Sequence, residues 1–268
     1  MSKSAIRRIE RLGPGRRDSV DDALVVERPV EFRLSGVPVA VLMRSPGDDE
    51  VLARGFALSE SIISKPGEFV GIERAGVTAD DDRWNLVLAP GVTVDPDQFR
   101  RNTYTSSSCG VCGKASIDAV LIAAPPLAPG PQLDMTIIAR MPETMRAAQS
   151  EFDLTGGIHA AAGFTADGEL VAIREDIGRH NAVDKLIGDL AGRHWPLHDF
   201  VAMVSGRVSF EIVQKCAVVG IPVVCGVSAA SSLAVELGDE LGMTVAGFVR
   251  DGSCNVYCGA SRIVESPV

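Results

Sequence analysis

Residues 200–249 read FVAMVSGRVSFEIVQKCAVVGIPVVCGVSAASSLAVELGDELGMTVAGFV, and this stretch decides the fold. Three short apolar runs, Phe200–Val204, Ile221–Cys225 and Thr244–Val249, alternate with two longer segments, Phe210–Val219 and Ser231–Leu241. The short runs are bounded by Gly, Pro and Ser and read as buried strands, with helices between them. Such alternation needs crossover connections, which predicts a parallel sheet covered by helices. No charge falls between Lys215 and Glu236, but Gly220, Pro222, Gly226 and three serines divide that stretch. It reads as helix end, strand and helix start rather than a membrane span.

Upstream, Ile158–Phe164 and Leu170–Ile173 join through Asp167-Gly168, a hairpin signal, and a helix is expected over Arg179–Leu190. Farther back, Ala23–Leu34 and Val37–Met43 flank Ser35-Gly36 as a second hairpin. A helix follows over Asp48–Ile63, opening with acidic residues, then short strands at Phe69–Ile72 and Trp84–Leu88. The Pro- and Ala-rich stretch Ala123–Leu133 reads as a linker. The expected organisation is a mobile basic tail over 1–20, a small α+β domain over 21–130 ending in a cysteine-bearing loop and linker, and an α/β domain over 131–268.

The chain has 268 residues, 46% hydrophobic and 23% charged, enough for a sizeable core and too apolar for disorder. A net charge of -9 argues against non-specific nucleic-acid binding. The exception is the first twenty residues, where Lys3 and five arginines face only Glu10 and Asp18. No apolar stretch follows Arg7-Arg8 as an export signal would require, so a cytoplasmic location with six reduced cysteines is expected.

The sharpest chemical signal is Cys109-Gly110-Val111-Cys112-Gly113, between a run of serines and a helix expected from Lys114. A cysteine near a helix N-terminus and a lysine has its thiolate favoured, and the thiolate is the nucleophile. A redox pair, half a zinc site and a sulfur-transfer pair stay open with equal weight. Cys254 and Cys258 offer a second half for a metal site, whereas Cys216 and Cys225 lie in apolar runs and read as inert core.

A second constellation, Arg174-Glu175-Asp176-Ile177-Gly178-Arg179-His180-Asn181, falls where a strand gives way to a helix. Ser205-Gly206-Arg207 and Ser228–Ser232 occupy the next two such junctions, and Phe248-Val249-Arg250 turns through Asp251-Gly252-Ser253 after the last strand. Guanidiniums and hydroxyls at neighbouring strand ends suggest a phosphate-bearing ligand; a solvated ion-pair network capping the helix is the even alternative for the Arg174–Asn181 segment. His159, after Gly156-Gly157, reads as a structural histidine or, in a pocket, as an acid–base or phosphate-binding group. A zinc deaminase would need Glu where Ala161 stands, so that chemistry fails on its own motif.

Taken in order, Ser108–Gly113, Gly156–His159, Arg174–Lys185, Ser205–Glu211 and Asn255-Val256-Tyr257 resemble the FdhD family, the sulfurtransferase accessory proteins of formate dehydrogenase. The resemblance runs from about Ala23 to Tyr257. It implies a cytoplasmic sulfur carrier that takes persulfide sulfur from a cysteine desulfurase. The recipient would be the Mo-bis(molybdopterin guanine dinucleotide) needed by the formate dehydrogenase catalytic subunit, bound as cargo with no permanent cofactor or metal. It further implies a cytidine deaminase-like C-terminal domain, a mixed sheet covered by helices, beside a smaller α+β N-terminal domain, and dimerisation. By the same carry-over Cys109 holds the persulfide and Cys112 assists, while Phe248, Val249, Arg250, Asp251, Gly252 and Ser253 contact the dinucleotide. Arg174, Arg179, His180, Arg207 and His159 are placed near the cofactor by the crevice argument above. Thiols at Cys254 and Cys258 depart from the family pattern and leave an extra metal site or second sulfur-handling pair open. The rival reading is a cofactor-binding chaperone of the dehydrogenase with a structural cysteine or zinc site and no sulfur transfer.

Overall fold

The computed structural model describes residues 3–76, 78, 81–99, 124 and 127–264. Strands β1 (Ser4–Gly13) and β2 (Arg16–Val25) open the chain as an antiparallel hairpin. The mobile basic tail expected over 1–20 is therefore corrected. Arg7, Arg8 and Arg11 lie opposite Asp22, Asp21 and Asp18, so Asp21 and Asp22, just beyond the counted window, join Asp18 in balancing the arginines. Gly15, at φ 69°, supplies the turn.

A four-stranded sheet follows, in the order β4-β3-β6-β5. It comprises β3 (Arg28–Leu34), β4 (Val37–Arg44), β5 (Phe69–Arg74) and β6 (Arg83–Leu88), with α1 (Asp49–Ser59) inserted after β4. Ser35 and Gly36 both have positive φ, the backbone of a two-residue hairpin turn. Next come β7 (Leu133–Asp134), α2 (Met135–Ala147) and α3 (Ser150–Thr155), none of them expected. Pro142 inside α2 obscures its pattern, although Asp134 caps the helix by accepting from Thr136 N at 2.7 Å.

The second sheet has the order β13-β12-β11-β10-β8-β9. Its elements run β8 (His159–Phe164), β9 (Leu170–Asp176), α4 (Arg179–Arg193), β10 (Val201–Val204), α5 (Phe210–Val218), β11 (Val223–Gly226), α6 (Ser232–Glu240), β12 (Thr244–Arg250) and β13 (Ser253–Cys258). A two-residue β14 (Ile263–Val264) pairs with β7. Within the six-stranded sheet, among the described residues, only β10, β11 and β12 pair in parallel. The sheet is mixed rather than parallel throughout: β8 runs antiparallel to β10, and the Asp167-Gly168 and Asp251-Gly252 turns fold β9 and β13 antiparallel onto β8 and β12.

Helices α1, α4 and α5 lie between the two sheets, and one apolar cluster runs from Val30 and Phe32 through Leu52 and Leu186 to Val224. The boundary expected at 130/131 thus separates the sheets along the sequence while their core is shared. Helices α1 and α4 touch backbone to backbone: a Cβ on Gly55 would lie 1.7 Å from the Asp184 carbonyl oxygen, and one on Gly188 1.9 Å from that of Val51. No side chain fits there.

Two buried cations join the same elements. Lys185 Nζ lies 2.7 Å from Asp176 Oδ2 and donates to the Ser45 carbonyl at 3.1 Å, with both charged side chains fully buried. Lys215 Nζ reaches both Asp184 oxygens, Ser59 Oγ and Glu60, all within 3.0 Å. Removing one partner of a buried pair leaves an uncompensated charge, at a cost of about 3–5 kcal/mol. Lys185→Met is expected to lose that much in a denaturant titration, and adding Asp176→Asn should recover part of it. Equal stability of Lys185→Met and the unsubstituted chain would contradict the role assigned to this pair.

Candidate functional site

The carboxyl ends of β10, β11 and β12 emerge on one edge of the mixed sheet, beside the start of the antiparallel β8. A cleft of about 940 Å³ opens there. Its floor is Ile158, His159, Ser205, Val227 and Val249, and its walls are Met145 and Arg146 of α2, Phe152 and Asp153 of α3, and the Arg250-Asp251 turn. Crevices outside strand ends are where open α/β sheets bind ligands, because loops and helix N-termini converge there.

Each wall is fixed by a local bond. Ser205 Oγ accepts from Ala160 N at 2.9 Å, joining β10 to β8. The Glu175 carboxylate accepts from Glu151 N and Phe152 N at 3.0 and 2.9 Å, which seats the short helix α3. Arg146 lies over the Phe152 ring at 4.7 Å and pairs with Asp153 at 2.7 Å. Between Gly247 and Arg250 the β12–β13 register slips by one residue, and Phe248 takes φ 51°. A bulky side chain in the left-handed region costs about 1–3 kcal/mol, and bulges of this kind re-aim side chains beside sites. Here Val249 is buried on the cleft floor and Arg250 reaches its rim.

His159 is half-buried. Burial, reinforced by Arg179 and then by His180, holds its imidazole below the ordinary 6.5, against a smaller opposing pull from Asp176. At neutral pH it is an uncharged group able to accept or donate a hydrogen bond. Behind it His180, buried, lies 3.3 Å from Ser209 Oγ and 3.6 Å from Glu211. Burial alone would raise Glu211, but bonds from His180, its own backbone and Ser209 together hold it below the usual carboxylate range.

The structure brings His159, Val249, Arg250 and Asp251 into the cleft lining; Phe248, Gly252 and Ser253 belong to the same bulge and turn without lining it. Arg174 pairs with Asp189 at 2.8 Å, and Arg207 is exposed. The Arg179 side chain sits by His159, with its Nε buried and unbonded among the described residues. The Arg174–Asn181 segment is in large part a structural clasp, since Asp176 accepts from Gly178 N and Ser45 N, and Asn181 donates to the Met43 carbonyl. Sequence reading missed the α2 and α3 walls; the spacing of Ile138, Met141 and Met145 after the Asp134 cap carried the signal.

Cys109, Cys112 and the helix expected from Lys114 lie outside the described residues. Burial pushes Cys216 and Cys225 up to about 12, in keeping with inert core thiols. A register slip at Tyr257 turns Cys258 into the core between the sheets, while Cys254 packs against Met135 on the opposite side. The two thiols therefore do not face a common ion. Among the described residues no group of three His, Cys, Asp or Glu side chains is disposed to hold a metal, and no helix is long and apolar enough to cross a membrane.

The sequence model of the FdhD/NarQ family matches residues 25–264. This chain belongs to the FdhD/NarQ family. Among its relatives in that family, a protein from Streptomyces coelicolor named sulfur carrier protein FdhD is 49% identical over 266 residues, covering 96% of this chain and 94% of that one. A protein of the same name from Mycolicibacterium paratuberculosis is 44% identical, covering 98% of this chain and all of its own. The crystal structure of a protein proposed as a formate dehydrogenase accessory protein, from Desulfotalea psychrophila, superposes with a TM-score of 0.77 over 98% of this chain and all of that one. At 24% identity it supports the FdhD-family fold alone.

A histidine titration by NMR is expected to give His159 a midpoint below 6.5, and Arg179→Met should raise it by removing the nearby guanidinium while burial persists. A midpoint at or above 6.5 in the unsubstituted protein would contradict this electrostatic account.

Proposed function

We propose that this protein is a sulfur carrier in the maturation of formate dehydrogenase, with Cys109 as the sulfur-bearing residue. The observation that carries the reading is 49% identity, over nearly the whole of both chains, to a protein named as a sulfur carrier. The Cys109-Gly110-Val111-Cys112 pair supplies the nucleophile such a role requires.

In the first step the Cys109 thiolate attacks the outer sulfur of a cysteine desulfurase persulfide. A new S–S bond forms at Cys109, the donor's S–S bond breaks, and the donor cysteine leaves as a thiolate. In the second, the Cys112 thiolate attacks the inner sulfur of the Cys109 persulfide. Hydrosulfide departs with the bonding electron pair toward the metal of the cargo, leaving a Cys109–Cys112 disulfide that low-molecular-weight thiols reduce. The cargo is the guanine-dinucleotide molybdenum cofactor of the dehydrogenase. The cleft suits a large heterocyclic ligand through its volume, its apolar floor and the Arg250 rim.

Cys109→Ala is expected to reduce formate dehydrogenase maturation to background in a reconstituted assay containing desulfurase, cofactor and apo-dehydrogenase, without loss of cofactor binding to the variant. Full maturation by that variant would overturn sulfur transfer and favour a cofactor-binding chaperone.

A further inference from the structure

The α2–α3 wall of the cleft is built as a shelf. The Arg146 guanidinium sits over the Phe152 ring, 4.7 Å from its centroid, and Asp153 Oδ1 holds it there at 2.7 Å. All three residues line the cleft, and the Arg146 side chain is 50% exposed, so the face turned away from Phe152 is open. A guanidinium backed by an aromatic ring and pinned by a carboxylate is a flat, preorganised surface on which planar heterocycles stack.

Glu143 lies one helical turn before Arg146 on α2 and lines the same cleft, and among the described residues no cation pairs with it. Asp153 is committed to Arg146, which leaves Glu143 as the carboxylate beside the shelf that can accept from a ligand. Two carboxylates to one guanidinium give this wall a net negative charge. Such a wall repels phosphates and suits a ring edge rich in N–H donors. On the reading that the cleft holds the guanine-dinucleotide cofactor, we propose that the Arg146–Phe152 shelf stacks a fused 2-amino-4-oxopyrimidine ring of that cargo. The Glu143 carboxylate accepts from the adjacent ring N–H and amino group. Guanine and pterin share that edge, so the cargo offers this chemistry from two sources. The shelf stands across the cleft from the Arg250-Asp251 turn and adds a second contact surface to that rim.

Binding of two probes, guanosine diphosphate and 6-carboxypterin, to the full chain is measured by equilibrium dialysis. Arg146→Met keeps the aliphatic stem and removes the plane, and is expected to weaken the probe that lies on the shelf about tenfold. Loss confined to the diphosphate assigns the shelf to guanine, loss confined to the pterin assigns it to pterin, and loss of both shows that it takes either ring. Arg146→Lys should lose as much, because an ammonium has no face to stack on, and Glu143→Gln should weaken the same probe. Thermal unfolding that coincides with the unsubstituted chain shows that each variant is folded. Unchanged binding of both probes by Arg146→Met, or full rescue by Arg146→Lys, would overturn the shelf, as would an unsubstituted chain that binds neither. Labelled sulfur on Cys109 is scored separately on the unsubstituted chain. Weakened probe binding in the variants without sulfur loading there would leave the shelf standing and overturn the sulfur-carrier reading.

Discussion

The salt bridge between Asp176 and Lys185, both fully buried, sets the geometry on which the rest of the molecule depends. Asp176 ends β9, Lys185 is the seventh residue of α4, and both hold the backbone of Ser45 at the end of β4. One ion pair thus joins the last residue of a strand in the second sheet, the helix that follows it, and the neighbouring sheet. Ionic desolvation makes such a pair poor as a general source of stability, but very sensitive to loss of one partner. Its value here is positional. It fixes the strand–helix junction beside His159, while Gly55 and Gly188 let α1 and α4 approach closely enough for the backbone contacts to form.

The cleft inherits its shape from that frame. Glu175, next to Asp176, seats α3 through two backbone N–H groups, so one strand end positions both the inter-sheet clasp and a cleft wall. On the far side, the Phe248 bulge turns Val249 to the floor and sends Arg250 to the rim. A left-handed phenylalanine persists only where surrounding packing enforces it, and Phe248 N is held by the Ser228 carbonyl at 3.0 Å.

Much of this was legible in the sequence because it rests on short-range patterns. The strand–helix alternation of residues 200–249, the Ser35-Gly36 and Asp167-Gly168 turns, and the α1 and α4 stripes all reappear within a few residues of the expected positions. What was not legible depends on pairing over distance. The arginines of β1 look like a solvated tail until their aspartates arrive from β2. The cationic motif at Arg174–Asn181 looks like a ligand site, although Asp176 and Asn181 are committed to Ser45 and Met43 at the end of β4, 131 and 138 residues earlier in the chain. Cys254 and Cys258 share strand parity, and only the bulge at Tyr257 parts them. Helix α2 was hidden by its internal proline.

The central claim is that sulfur resides covalently on Cys109 between donor and recipient. It is tested most directly by incubating the protein with a cysteine desulfurase and isotopically labelled cysteine, trapping thiols by alkylation, and mapping the peptides by mass spectrometry. The account predicts one labelled sulfur beyond the native cysteine sulfur on Cys109, with no bound zinc. Its absence from both Cys109 and Cys112, with stoichiometric zinc in the same sample, would contradict the account and identify the cysteine pair as a structural metal site.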